Sequence, residues 1–273
     1  MAVDTKMLAP QLIELNITEL CNRTCSFCPR GHDYPNLNLN MSIDTAIKIR
    51  DQSKGFVNNI HLVGRGEPLL HPNFLEIVKV FATDFTVRIM TNGDILDKHI
   101  DDLNDVLDLN SGKHRVTVSL YDDEEQYNHF KEEYDFFSDV SLYKTYDIDQ
   151  GTEDETFNKK HYITNRAGAL YTSSSVDPCY IPLNRMFIDW DGSVNLCCHD
   201  WSVKATYGNI NNTNVQNIYK FICDKYAKEL IKGNRSCTKQ CSKCDVSSDD
   251  PLKFVYKDWQ EQQNARINLL GET

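Results

Sequence analysis

The chain has 273 residues, 40% of them hydrophobic and 25% charged, proportions that are typical of a globular protein with an ordinary core. Its formal net charge of −11 argues against unaided binding to nucleic acid or to an anionic membrane surface. The sequence has no apolar run of signal-peptide or membrane-span length, so we expect a cytoplasmic protein.

Strand-like and helix-like segments alternate along the chain as far as residue 165. The pattern predicts strands over residues 11–17, 59–63, 86–91, 115–121, 140–146 and 161–165, with helices over 42–54, 73–82, 95–108 and 124–137. Such alternation predicts right-handed βαβ units and a parallel sheet. Six strands are too few for a complete eight-fold barrel, so we expect an α/β fold with a partial (β/α)6 barrel of the TIM type.

The regular alternation of strand-like and helix-like segments ends at residue 166. Residues 185–198 predict a β-hairpin around the turn Asp191–Gly192, and short helical patterns follow at 215–222 and 226–233. We therefore expect three parts: a barrel over 1–166, a small hairpin-and-helix domain over 167–250, and a helical tail over 251–273.

The ten cysteines indicate metal binding. In a chain without a secretion signal, clustered thiols more often bind metal than form disulfides. They fall into two triplets of the same C-x3-C-x2-C spacing, one near each end, with four more between them: Cys21, Cys25 and Cys28; Cys237, Cys241 and Cys244; and Cys179, Cys197, Cys198 and Cys223.

The first triplet lies directly after the first predicted strand, at the edge of the sheet where ligands bind in α/β folds. A structural zinc site needs four ligands and an iron–sulfur cube has four corners, whereas this loop supplies three thiolates. Three thiolates on a cube leave one iron open to a substrate or cofactor. A zinc site completed by a distant ligand is the alternative.

Here the sequence resembles the radical S-adenosylmethionine (SAM) superfamily, whose cysteine motif has an aromatic residue before the last cysteine. The stretch "GRGEPLLHP" (64–72) resembles the family's Gly-Gly-Glu-Pro motif, except that Arg65 stands where its first glycine usually lies. "TNG" (91–93) ends the third predicted strand, as in many members. The resemblance covers residues 11 to 166 and implies SAM contacts from Phe27, Gly66, Glu67, Pro68, Asn92 and Ser119.

The resemblance also implies a reaction. A [4Fe–4S] cluster on the first triplet would reductively cleave bound SAM to a 5′-deoxyadenosyl radical, which abstracts a substrate hydrogen. The electron would come from a low-potential donor such as flavodoxin or ferredoxin. On this basis we expect an oxidoreductase.

The C-terminal part resembles the family's auxiliary-cluster domains, the SPASM domain and its shortened twitch form. This implies a second [4Fe–4S] cluster with Cys179, Cys197, Cys241 and Cys244 as ligands and Cys237 as the runner-up. Cys198 should point to the other side of the hairpin, because successive strand residues face opposite ways. A structural zinc ion is the alternative for these thiolates.

For four of the candidate site residues, a purely structural role is the alternative to the functional one. Glu67 could serve only as a carboxylate at a helix start, Asn92 as a turn former, and Ser119 as a packed sheet residue. Arg166 is a candidate catalytic residue that faces the substrate, or a structural ion-pair partner.

Three functions remain open. The favoured one is oxidation or epimerisation of a sugar or cyclitol carbon, by resemblance to a cyclitol dehydrogenase with one auxiliary cluster. The second is modification of a peptide, which is less favoured because the first strand starts near Gln11 and leaves no room for a preceding recognition domain. The third is a non-catalytic iron–sulfur or zinc protein.

Overall fold

The computed structural model describes residues 8–144, 164–201, 206–246 and 259–272. In these ranges one sheet contains strands β1 (Leu12–Leu15), β2 (Asn59–Leu62), β3 (Thr86–Thr91), β4 (Arg115–Leu120), β5 (Val140–Lys144), β6 (Arg185–Ile188), β7 (Ser193–Asn195) and β8 (Gly208–Asn209). Their order is β5-β4-β3-β2-β1-β6-β7-β8. The strands from β5 to β6 pair in parallel, and β7 and β8 are antiparallel to their neighbours.

Four helices connect the parallel strands β1 to β5, as the sequence predicts: α1 (Ile43–Ser53), α2 (Phe74–Ala82), α3 (Ile100–Leu107) and α4 (Glu124–Tyr134). The short helix α5 (Ile181–Asn184) directly precedes β6. Two more follow β8: α6 (Val215–Ile222, prolonged by Cys223–Ala227 and Lys228–Leu230) and α7 (Trp259–Glu272). Ser42 caps the start of α1, since its hydroxyl accepts a hydrogen bond from the Thr45 N–H. None of the described helices is both long and apolar enough to cross a membrane.

The two faces of the sheet have opposite chemistry. Residues paired across parallel strands face the same side, so Ile188, Leu15, Leu62 and Ile89 form one row. All four are fully buried in the hydrophobic core with the helices. Burying such a side chain contributes roughly 1.5–3 kcal/mol, so this face holds the barrel together.

The opposite, inner face is polar. Its middle row contains Phe187, Glu14, His61 and Arg88 from four neighbouring strands. Nearer the carboxyl ends, Thr117 on β4 lies beside Ser141 on β5, with 3.1 Å between the two hydroxyl oxygens. A polar face inside a sheet of this curvature is suited to a ligand rather than to a second apolar layer.

The mixed α/β sheet confirms the predicted class, a partial TIM-like barrel. The predicted hairpin is present, but its first strand, β6, pairs in parallel with β1. The hairpin thus extends the barrel sheet. Most of the sixth predicted strand (161–165), the end of the fifth (145–146) and the first part of the tail (251–258) lie outside the described residues. Thr164 and Asn165 are in no strand.

Candidate active site

The first cysteine triplet lies on the loop that leaves β1. Asn36 fixes its start, because the Cys21 N–H donates to the Asn36 Oδ1 at 3.0 Å and the Asn36 amide donates back to the Cys21 carbonyl at 2.9 Å. The Cys28 N–H closes a turn on the Cys25 carbonyl at 3.0 Å. All three thiols are partly accessible, as ligands of an exchangeable cofactor need to be.

An arginine inside this loop ties it to the ends of two strands. The Arg23 guanidinium binds Asp94, after β3, and Asp122, after β4, through four hydrogen bonds of 2.5 to 2.8 Å. Paired, charge-assisted bonds of this kind fix both direction and distance. The sequence analysis did not single out Arg23, because its partners are about 70 and 100 residues away.

The segment resembling the Gly-Gly-Glu-Pro motif lies against the beginning of the cysteine loop. A Cβ added to Gly66 would lie 2.2 Å from the Thr18 carbonyl oxygen and 2.5 Å from that of Leu20, so only glycine fits here. The next residue, Glu67, donates its N–H to the Leu20 carbonyl at 2.7 Å.

The Glu67 carboxylate is buried and accepts three hydrogen bonds. The donors are the Thr91 hydroxyl at 2.7 Å, the Asn92 N–H at 2.8 Å and the Leu69 N–H at 3.2 Å. Burial raises the pKa of Glu67 to about 7, although these hydrogen bonds lower it in part. Glu67 therefore caps the short helix Pro68–Leu70 and also joins the ends of β2 and β3.

An aromatic residue that the sequence analysis missed lies at the end of β4. Tyr121 packs its ring against Phe27, with 5.3 Å between ring centroids, and Ser119 hydrogen-bonds its hydroxyl. Burial, with smaller contributions from the neighbouring Cys25 and Glu67, raises the pKa of Tyr121 to about 12. Phe27, Glu67, Ser119 and Tyr121 thus lie close together beside the first triplet. An aromatic residue directly after a strand was the available signal.

The C-terminal cysteines come together from three separate segments. Burial raises the pKa of Cys197 well above its usual value, and nearby thiols of Cys198, Cys244, Cys241 and Cys179 raise it further. Burial raises the pKa of Cys241 to about 12, with Cys179 and Cys244 contributing. The structure thus brings Cys179, Cys197, Cys241 and Cys244 close together, with Cys198 and Cys237 as further neighbours.

Cys237 and Cys198 lie differently. Cys237 interacts with Cys179 and Cys241, and its charged neighbours are Glu229 and Arg235. Burial raises the pKa of Cys198 to about 12, and its charged neighbours are Glu14 and Arg185 of the inner face. Cys198 thus has different charged neighbours from Cys197, but both residues lie beyond the end of β7, so the predicted strand alternation does not apply to them.

Arg166 lies between the two cysteine groups. It occupies the left-handed region (φ 49°) together with Ala167 (φ 54°), a conformation that costs energy in residues other than glycine. Its Nη1 lies 3.3 Å from the His199 Nδ1. Burial lowers the pKa of His199 well below its usual value, and Arg166 and Arg185 lower it further, so this imidazole is neutral near pH 7.

The donor set suits iron–sulfur clusters on two counts. One loop supplies three accessible thiols beside a glycine cradle and a buried carboxylate that can accept from an ammonium group. The other group supplies four thiols in a largely buried setting. Among the described residues, no set of three or more His, Cys, Asp or Glu side chains is arranged to hold a single metal ion.

Comparisons with known proteins agree with this geometry. Residues 15–132 match the radical SAM superfamily model, and residues 179–245 match the SPASM model, an iron–sulfur cluster-binding domain. The chain is therefore a radical SAM enzyme with a C-terminal SPASM-type domain. These two domains imply a SAM-binding [4Fe–4S] cluster and an auxiliary cluster.

Individual relatives are similar to this chain over different shares of its length. The chain is 25% identical over 259 residues to the S-adenosyl-L-methionine-dependent 2-deoxy-scyllo-inosamine dehydrogenase of Niallia circulans, covering 89% of this chain and 97% of that protein. Over 85 residues it is 35% identical to the tungsten-containing aldehyde ferredoxin oxidoreductase cofactor-modifying protein of Pyrococcus furiosus. This alignment covers 30% of this chain and 24% of that protein. The crystal structure of BtrN with AdoMet and 2-DOIA superposes with a TM-score of 0.69 at 23% identity, covering 88% of this chain and 94% of BtrN, and supports the fold.

Proposed function

We propose that this enzyme abstracts a hydrogen atom from a hydroxyl-bearing carbon of a small sugar or cyclitol and oxidises that carbon. The observation that carries the proposal is the polar inner face of the barrel. The dehydrogenase from Niallia circulans, named for a cyclitol substrate and similar over nearly its whole length, supports the same substrate class.

A polyol needs hydrogen-bonding groups on several sides, and the inner face supplies them. The Glu14 Oε1 accepts from the Arg185 Nη1 at 2.7 Å, whereas its buried Oε2 receives no N–H or O–H hydrogen bond from the described residues, although the weakly donating Cys198 thiol lies beside the carboxylate. A buried carboxylate oxygen left in this state carries an energetic cost, which a substrate hydroxyl or ammonium would offset. We assign Glu14 to substrate binding.

We assign SAM to the space beside the first triplet. In this proposal Cys21, Cys25 and Cys28 hold the cluster, Glu67 accepts from the SAM ammonium group, and the Gly66–Pro68 backbone lies along it. Asn92 and Ser119 would complete the contacts, with Phe27 packing at the edge. The cluster and SAM together supply the carbon radical chemistry.

The auxiliary cluster would be held by Cys179, Cys197, Cys241 and Cys244. Closed coordination by four thiolates suits a centre that exchanges electrons and does not bind substrate. Cys198, next to the proposed ligand Cys197, lies against Glu14. The auxiliary cluster would therefore lie near Glu14, the residue that we assign to substrate binding. Such a position suits the removal of one electron from a substrate radical. A low-potential carrier such as flavodoxin or ferredoxin would serve as redox partner.

Arg166 and Tyr121 are the side chains that we place at the substrate. The charge of Arg166 lowers the pKa of Tyr121 in part, and the Arg166 Nη1 lies 3.3 Å from the His199 Nδ1. A guanidinium here would orient a substrate hydroxyl and stabilise negative charge on its oxygen as the carbon is oxidised. The boundaries 1–166 and 167–250 proposed for the two domains place Arg166 at their junction.

Anaerobic reconstitution tests the proposal. The wild-type protein should contain about eight irons per chain and form 5′-deoxyadenosine from SAM under a strong reductant. Aminocyclitols carrying deuterium on each hydroxyl-bearing carbon should transfer the label to 5′-deoxyadenosine and yield a ketone. The Glu14→Gln variant should keep SAM cleavage and lose label transfer. Label transfer from peptides but from no polyol would refute the proposed substrate class.

A further inference from the structure

Arg65 is the point where this chain departs from the Gly-Gly-Glu-Pro pattern. Its side chain is 7% exposed and is directed at the hairpin of the C-terminal domain. The Arg65 Nη1 donates to Asp189, which follows β6, at 2.6 Å and to Glu19 of the first cysteine loop at 3.1 Å. Its Nη2 donates to the Asp200 carbonyl at 3.3 Å.

These bonds belong to a larger buried group. The Asn16 amide donates to Asp189 at 2.6 Å and to Glu19 at 2.8 Å, and Arg30 donates to Glu19 at 3.1 Å. Two guanidinium groups, those of Arg30 and Arg65, thus balance the carboxylates of Glu19 and Asp189. Because the group is balanced and buried, removing one charge leaves another uncompensated.

The group touches both cysteine loops. Arg30 lies two residues after Cys28, at the end of the first triplet. On the other side, the Asp200 carboxylate accepts from the Gln240 amide at 3.3 Å, and Gln240 precedes Cys241. Arg65 therefore bridges the two regions to which we assign the two clusters.

The backbone of Arg65 transmits its position to the proposed SAM contacts. The Arg65 N–H donates to the Asn16 Oδ1 at 2.9 Å, and its carbonyl accepts from the Arg30 Nε at 3.0 Å. Gly66 follows directly and has no free space toward Thr18. A displacement of Arg65 must therefore move Glu67 as well, because the segment between them cannot take up the change.

We propose that Arg65 is a positioning residue which makes the hairpin of the C-terminal domain part of the SAM-binding site. This rests on the proposed assignment of SAM to Gly66 and Glu67. A glycine at this position would have no side chain to reach the hairpin. In this chain Asp189, directly after β6, holds the motif through the Arg65 side chain.

The test measures SAM affinity in reconstituted protein without any substrate. Arg65→Met and Asp189→Asn should each raise the dissociation constant for SAM by about tenfold, since misplacement of a contact by about 1 Å has effects of this size or larger. The effect of the double variant should be smaller than the sum of the two single effects, because the two residues share one of their hydrogen bonds. Arg65→Lys should restore part of the affinity. Arg50→Met, which breaks an exposed ion pair with Asp51, is the matched control and should change nothing.

Iron content, melting temperature and the electron paramagnetic resonance spectrum of the reduced cluster separate positioning from folding. A positioning role predicts about eight irons in every variant and a weaker spectral change on SAM addition in Arg65→Met and Asp189→Asn. SAM affinity within twofold of wild type in two folded, loaded variants would overturn the inference. If Arg65→Met does not fold, the SAM affinities of Asp189→Asn and Arg65→Lys test the inference instead. Wild-type protein that does not bind SAM would instead refute the proposed site.

Discussion

Replacing Glu67 with Gln is expected to remove a pH dependence from SAM binding. Burial raises the pKa of Glu67 to about 7, so the carboxylate titrates near neutrality before SAM arrives. Only the ionised form attracts an ammonium group. With a pKa of about 7, about a tenth of the sites are ionised at pH 6 and about nine tenths at pH 8, so the apparent affinity should be about tenfold lower at pH 6.

The same pKa has a consequence for stability in the absence of SAM. The folded protein binds the Glu67 proton more tightly than the unfolded chain, whose carboxyl has the ordinary pKa of 4.5. The free energy of unfolding should therefore decrease as the pH rises from about 4.5 through about 7. A difference of about 2.5 pKa units corresponds to about 3 kcal/mol. Glu67→Gln should remove this part of the pH dependence.

Equilibrium dialysis of SAM at several pH values between about 6 and 8 measures the first effect, and urea unfolding of the metal-free protein measures the second. Glu67→Gln should bind SAM more weakly at every pH, since the amide replaces an acceptor with a donor, and its affinity profile should be flatter than that of wild type. Any titration of SAM itself contributes equally to the wild-type and variant profiles, so the difference between them reports on Glu67. Identical slopes in wild type and variant would refute the assignment of Glu67 as the titrating group.

Three further substitutions test other parts of the site. Cys241→Ala should reduce the iron content from about eight to about four per chain, whereas Cys237→Ala should retain about eight; the reverse result would exchange their assignments. Arg23→Ala should release the first cysteine loop and accelerate iron loss to a chelator by about fivefold or more, because the bonds to two carboxylates are lost; an unchanged rate would contradict the clamp. Arg166→Lys should lower product formation at least about tenfold while 5′-deoxyadenosine still forms without substrate; a parallel loss of both would place Arg166 at SAM.

The local elements could be predicted because short-range patterns determine them. Ser42 caps α1 as its position before an apolar run suggests. Motif spacing also located both cysteine groups. These features depend on residues within a few positions of each other, where steric and hydrogen-bonding rules apply directly.

The long-range arrangement could not be predicted from those patterns. The three apolar residues at 186–188 suit a free hairpin and a parallel neighbour of β1 equally well. The side chain of Arg65 is a departure from a motif in the sequence, and only the fold shows that Asp189, 124 residues away, receives it. Likewise, nothing near Glu14 in sequence predicts that Arg185 pairs with it. Such contacts depend on chain topology.

The pairing of β6 with β1 bears on how the protein can be divided. A fragment ending at residue 166 would lack β6 and would leave the backbone N–H and C=O groups along one side of β1 without their partners. An uncovered edge strand composed of Leu, Ile, Glu and Leu invites association with other chains. The barrel of this enzyme is therefore a poor candidate for separate expression, and its C-terminal domain serves as a protective cover as well as a redox module.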